Sequence, residues 1–135
     1  MKTQATILLV EDDHASTVVA STMLTREGYN VICVENGRDG LDIAQTDRAD
    51  LIVLDLNLPL FSGQQFLDAR MQCPIMKHIP CIVTSAHAQS HYIDEAKKLG
   101  ADLYFTKPLD WPCIVNAINA ILSSSVRIDL AKTAG

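Results

Sequence analysis

Asp55 ends the run "LIVLD" in "ADLIVLDLNLP", where Leu51, Ile52, Val53 and Leu54 read as a strand and Asn57 and Pro59 as the turn beyond it. A lone carboxylate against a buried strand is costly to desolvate unless something elsewhere in the chain meets it. Three more acids, Glu11, Asp12 and Asp13, follow the apolar run "TILLV". Carboxylates gathered in one crevice raise each other's pKa unless a cation neutralises them. Oxygen ligands with room for water suit Mg²⁺ better than zinc. Ser85 follows a fourth apolar run, and Lys107 follows a fifth, directly before Pro108. An ammonium there supplies a mobile charge for a carboxylate or for phosphate oxygens. An isolated acid, an acid cluster, a hydroxyl and a lysine are the parts of phosphoryl transfer: nucleophile, divalent ion and fixed donors. Taken singly, each residue has a plainer reading, since an acidic turn is also a good helix cap.

The elements that would carry these residues alternate in type. "TILLV" (6–10), "NVICV" (30–34), "LIVL" (51–54), "CIVT" (81–84) and "LYFT" (103–106) read as five strands. The first, third and fourth are apolar throughout, as parallel strands covered on both faces are. Helical stretches lie between them. Ala15, Val19 and Met23 set the stripe of the first, which stops at Gly28; Leu41 and Ala44 mark the second. Ser62 is positioned to cap the third, and Gly100 closes the fourth after Ile93, Ala96 and Leu99. In the fifth, Asp110 is the N-cap, Pro112 sits in the first turn, and Ile114, Ile118, Ile121 and Leu122 form one stripe. Strict alternation predicts an α/β doubly wound parallel sheet with right-handed crossovers and its site at the carboxyl ends of the strands. The strand-end residues Glu11, Asp12, Asp13, Glu35, Asp55, Asn57, Ser85, His87 and Lys107 are therefore the candidates.

Composition agrees with one compact domain. The chain has 135 residues, 48% hydrophobic and 20% charged, with a net charge of -5 that argues against a basic nucleic-acid surface. No apolar run approaches the roughly 20 residues of a membrane helix, and "MKTQATILLVEDD" has too short an apolar core for a secretory signal. A cytoplasmic protein is expected, with no direct nucleic-acid or membrane partner. Cys33, Cys73, Cys81 and Cys113 have no metal-type spacing and are expected as small buried or half-buried hydrophobes.

The stretches "LLVEDD", "DLIVLDLNLPLFSG", "IPCIVTSAHA" and "GADLYFTKPL" resemble the receiver domain of two-component response regulators over residues 5–123. The resemblance implies a CheY-like, flavodoxin-type five-stranded parallel sheet of order 2-1-3-4-5 with five helices. It sets a receiver domain at 1–123 and a tail or linker start at 124–135. Carried over residue by residue, it makes Asp55 the phosphoacceptor and Asp12 a direct ligand of Mg²⁺. Asp55 and the Asn57 backbone carbonyl complete the ligand set, with Glu11 acting through water. Asp13 becomes a helix cap. Ser85, rather than Thr84, takes the hydroxyl position, and Lys107 the lysine position, with a cis bond to Pro108. Tyr104 takes the aromatic switch position, and Asn57 and His87 flank the acid and hydroxyl positions at a distance where the family tunes phosphate lifetime.

By the same resemblance a histidine kinase or phosphotransfer protein phosphorylates Asp55, and a downstream protein reads the face of helix four, strand five and helix five (89–122). Trp111, near the start of that last helix, is either a contact there or a rim residue. The chain is then a switch rather than an enzyme. Alternatives are a receiver module of a larger hybrid kinase, a phosphate relay or sink and, more remotely, a small Mg-dependent phosphatase. The phosphatase would want a second Asp where Asn57 stands.

Overall fold

Five short apolar runs form the strands β1 (Thr6–Val10), β2 (Asn30–Val34), β3 (Leu51–Asp55), β4 (Cys81–Ser85) and β5 (Leu103–Thr106). The computed structural model describes residues 4–46 and 49–134, with side chains as far as Ser123. All neighbouring strands pair parallel, in the order β2-β1-β3-β4-β5. The helices between them are α1 (His14–Arg26), α2 (Gly37–Thr46), α3 (Gly63–Met71), α4 (Ser90–Lys98) and α5 (Trp111–Ala134). The sheet order and element count are those expected, while β3 and β4 each run one residue further than predicted. That extension makes Asp55 and Ser85 the last residues of their strands.

Alternation along the strands divides the core in two. Leu8, Val10, Ile52, Leu54, Cys81 and Val83 pack into one layer with Phe66 and Leu67 of α3 and Ala96 of α4. Ile7, Leu9, Leu51, Val53 and Ile82 pack into the other with Ala20 and Leu24 of α1 and Ile114 and Ile118 of α5. Strands buried on both faces explain the continuous apolar runs.

Local chemistry fixes the helix ends. Asp13 accepts from Ser16 N at 2.9 Å, and Ser62 forms a reciprocal capping box with Gln65. Gly28 and Gly100 take φ of +94° and +97° beyond α1 and α4, the left-handed stop that glycine adopts without strain.

Several expectations are corrected. The stripe of α1 is turned by one residue. Ala15 and Val19 are exposed, and the buried members are Ala20 and Leu24. The inward row begins with Ser16, so its first polar member hid it. Trp111 is neither a contact nor a rim residue but 8% exposed in the second core layer. Cys33 and Cys113 are exposed, whereas Cys81 is buried and its thiol pushed up to about 12 by that burial. Cys33 escapes because β2 is an edge strand. A 3-10 turn, Met76–His78, has no counterpart in the expected elements. The helix α5 runs to Ala134, which neither supports nor corrects the expected tail or linker start at 124–135.

The connection from β3 to α3 is tight. Gly63 N donates to Leu56 O at 3.2 Å, and a Cβ on Gly63 would lie 2.6 Å from Leu56 Cα. Only glycine lets the chain close so near Asp55. At the tip of this loop Leu60 has φ +63°, a conformation costing a leucine roughly 1–2 kcal/mol.

Candidate functional site at the carboxyl edge of the sheet

Side-chain alternation brings the charged residues to one side. Asp55 continues the Leu51–Val53 row, Glu11 the Ile7–Leu9 row and Lys107 the Leu103–Phe105 row, all rows of the α1–α5 layer. Glu11 is 5% exposed and Asp55 4%, and between them comes Lys107. Its Nζ lies 3.3 Å from Glu11 Oε1 and 3.4 Å from Asp55 Oδ2. One carboxylate oxygen from each of Glu11, Asp12 and Asp55 lies within 4.8 Å of the other two, with Asp12 facing solvent. Distant parts of the chain thus supply one cluster, and the carboxylate that raised the desolvation question has its cation.

The cluster remains short of positive charge. Burial, reinforced by the neighbouring Asp55 carboxyl, raises Glu11 to about 7 despite the donated Asp13 amide and Lys107. Partial burial pulls the Lys107 ammonium down, but Asp55 and Glu11 outweigh it and hold its pKa above the ordinary value. Asp13 stands apart. It caps α1, and the donors of Ser16 hold its carboxyl below the usual range. Three carboxylates facing one ammonium, all-oxygen in their donor atoms and partly open to solvent, fit a hard divalent cation such as Mg²⁺.

The hydroxyl is on the other side of the strand. Ser85 continues the Cys81–Val83 row, is fully buried, and donates from Oγ to Asn57 Oδ1 at 3.1 Å. Asn57 Oδ1 also accepts from Ala86 N at 3.4 Å, while Asn57 N donates to Asp55 Oδ1 at 3.0 Å. Thr84 lies in the strand as expected, lining a cavity of about 330 Å³ with Val19, Val53, Lys107, Pro108 and Trp111. The Lys107–Pro108 bond is cis.

His87 joins the remaining parts. Its N–H donates to Ser85 Oγ at 3.1 Å, and its carbonyl accepts from Tyr104 Oη at 2.7 Å. Its ring stacks on Tyr92 of α4, with centroids 4.2 Å apart. Tyr104 is already half-buried against the core. The side-chain bond of Asn57 to Ser85 escaped sequence reasoning, which assigned the residue a metal-binding carbonyl and a lifetime-tuning position. A polar residue two positions beyond the acid was the available signal.

A profile of the response regulator receiver domain matches residues 7–119. The chain belongs to this family. Among curated relatives, sporulation initiation phosphotransferase F of Bacillus subtilis is 34% identical over 116 residues, covering 86% of this chain and 92% of that one. Among solved structures, the signal receiver domain of a putative LuxO repressor protein from Vibrio parahaemolyticus superposes with a TM-score of 0.87 at 27% identity. That match covers 96% of this chain and 98% of the other. The receiver domain of sensor histidine kinase PA1611 from Pseudomonas aeruginosa has a TM-score of 0.83 at 25% identity, covering 90% of this chain and 99% of its own. That structure holds a magnesium ion coordinated in its active site cleft. Receiver domains act as phosphoacceptor switches in two-component signalling and engage histidine kinases or phosphotransfer proteins. Among the described residues of this one, no helix is long and apolar enough to cross a membrane.

Proposed function

We propose that Asp55 is the phosphoacceptor and that its phosphorylation changes the face formed by α4, β5 and α5. The observation carrying this reading is the meeting of Asp55, Glu11 and Asp12 within 4.8 Å at a strand end that Lys107 also reaches. In transfer from a phosphohistidine, an Asp55 carboxylate oxygen forms the new P–O bond as the donor's P–N bond breaks. The bonding pair leaves with the imidazole nitrogen. Lys107, 3.4 Å from Asp55 Oδ2, is placed to follow the transferred oxygens. Glu11 (through water), Asp12, Asp55 and the Asn57 carbonyl would hold Mg²⁺, whose charge neutralises phosphoryl oxygens.

Ser85 then exchanges Asn57 Oδ1 for a phosphoryl oxygen. Because His87 N is bound to Ser85 Oγ, the loop after β4 follows, carrying the carbonyl that holds Tyr104 and the ring stacked on Tyr92. The loop is thereby linked to α4 and β5, the face that a downstream protein reads, and His87 is placed to affect phosphate lifetime. Differential stabilisation by a few kcal/mol would complete such a population shift. A relay role is the second reading, supported by the likeness to a relative named a phosphotransferase.

Incubation with phosphoramidate and Mg²⁺, followed by intact-mass measurement, tests the assignment. One phosphoryl group is expected on the wild type and none on Asp55→Asn. Persistent labelling of that variant would refute the role of Asp55.

A further inference from the structure

Among the described residues, Leu60 is the only non-glycine residue with positive φ, at +63°, and its side chain is completely exposed. A single exposed leucine is ordinary on a protein surface. An exposed leucine in left-handed backbone is not, because its Cβ crowds the neighbouring carbonyl and glycine or asparagine would take the same shape with less strain. No packing within the domain offsets that strain, since the side chain is as open as in an extended chain.

The loop holds this side chain outward. Leu58 is buried in the core on one side of the tip. On the other, Phe61 packs against the same core beneath the Arg38 guanidinium, 5.6 Å from its ring centroid. The loop ends are joined by the bond from Gly63 N to Leu56 O. Pro59 and Leu60 project between those anchors, on the loop that begins at Asp55. Asp55 itself is 4% exposed. A protein that delivers a phosphoryl group must therefore push its histidine into the crevice and press its own surface on the surrounding loops. A small phosphodonor need not.

We propose that Leu60 is a specificity-determining contact for the phosphodonor protein, an apolar knob that seats in an apolar notch beside the donor's phosphohistidine. The inference rests on the reading of Asp55 as phosphoacceptor. Leu60 lies outside the α4–β5–α5 face, which assigns it to the incoming partner rather than the downstream one.

Phosphotransfer to the wild type, Leu60→Gly, Leu60→Asn and Leu60→Met tests it. The donors are phosphoramidate and a panel of the source organism's autophosphorylated histidine kinases and phosphotransfer proteins. With the panel donor fastest on the wild type, Leu60→Gly and Leu60→Asn should be at least tenfold slower, and Leu60→Met within threefold. Phosphoramidate should label all four at one rate. Leu60→Gly should melt no lower than the wild type, which separates a lost contact from a lost fold. Less than a threefold effect of both polar and glycine variants overturns the proposal. So does a panel in which no protein labels a wild type that phosphoramidate labels. If phosphoramidate fails on the wild type, it is the phosphoacceptor reading that fails.

Discussion

Asn57 Oδ1 accepts a hydrogen bond from Ser85 Oγ at 3.1 Å, so one residue both turns the chain beyond Asp55 and holds the hydroxyl proposed to serve the phosphoryl group. If Ser85 serves the phosphoryl group as proposed, the bond belongs to the unphosphorylated form alone, because Ser85 cannot donate its one proton to Asn57 and to a phosphoryl oxygen at once.

Asn57→Ala should therefore destabilise the two forms unequally. Without Asn57 the proton of the fully buried Ser85 hydroxyl loses its acceptor in the free protein, at about 1 kcal/mol, although Oγ still accepts from His87 N. A drop of about 3–6 °C in Tm is the corresponding scale for a domain of this size. With Mg²⁺ and beryllofluoride, which mimics the phosphoryl group, the drop should be smaller. Thermal unfolding with and without the mimic measures the difference, and equal drops would count against the assigned exchange.

Glu11 should make the metal-free domain less stable as pH rises. Its folded pKa stands at about 7, above the ordinary 4.5, chiefly through burial and then through Asp55. Between those values the folded state binds more protons than the unfolded one, so the slope of unfolding free energy against pH is negative. This contribution is fully present below about 4.5 and is lost as pH passes through about 7. Urea titrations in EDTA across that window should show the decline in the wild type relative to Glu11→Gln. Saturating Mg²⁺ should flatten or reverse it, because the cation favours the ionised carboxyl. Parallel curves for the two proteins without metal would refute the assignment.

The sheet and the charged half of the site were legible because both follow from short-range rules. Unbroken apolar runs identify strands covered on two faces, and the alternation that seats Leu51 and Val53 in one layer also aims Asp55 towards Glu11 and Lys107. The Asn57–Ser85 bond was not legible, because it joins side chains 28 residues apart through an amide whose orientation no local pattern dictates. The stripe of α1 was misread for a related reason: Ser16 heads the inward row beside the site, where a hydroxyl is tolerated. Trp111 looked like a surface aromatic at a helix start, yet the close approach of α5 to β1 and β3 buries it.

Arg70 also gave no signal in sequence, since an arginine late in a helix reads as a surface cation favoured by the negative end of the helix dipole. In the folded chain it is 3% exposed and holds the amino ends of β4 and β5 together. Nε and Nη2 donate to Ile79 O at 3.0 and 2.7 Å, and Nη1 donates to Gly100 O at 3.1 Å. Asp102 Oδ2, 3.5 Å from Nη2, accepts from Cys81 N at 2.8 Å. The buried carbonyl bonds should matter more than the ion pair, because the Asp102 side chain is 48% exposed and solvent screens its charge. Arg70→Met keeps much of the volume but removes the donors, leaving carbonyls unpaired, and should lower stability by roughly 2–4 kcal/mol. Asp102→Asn should cost much less. This network lies at the opposite end of the sheet from Asp55, so phosphoramidate labelling of folded Arg70→Met should proceed at the wild-type rate. Urea midpoints at unchanged m-value, paired with that labelling rate, separate the scaffold from the site. A midpoint for Arg70→Met indistinguishable from the wild type would mean that the carbonyl bonds contribute nothing beyond what water supplies.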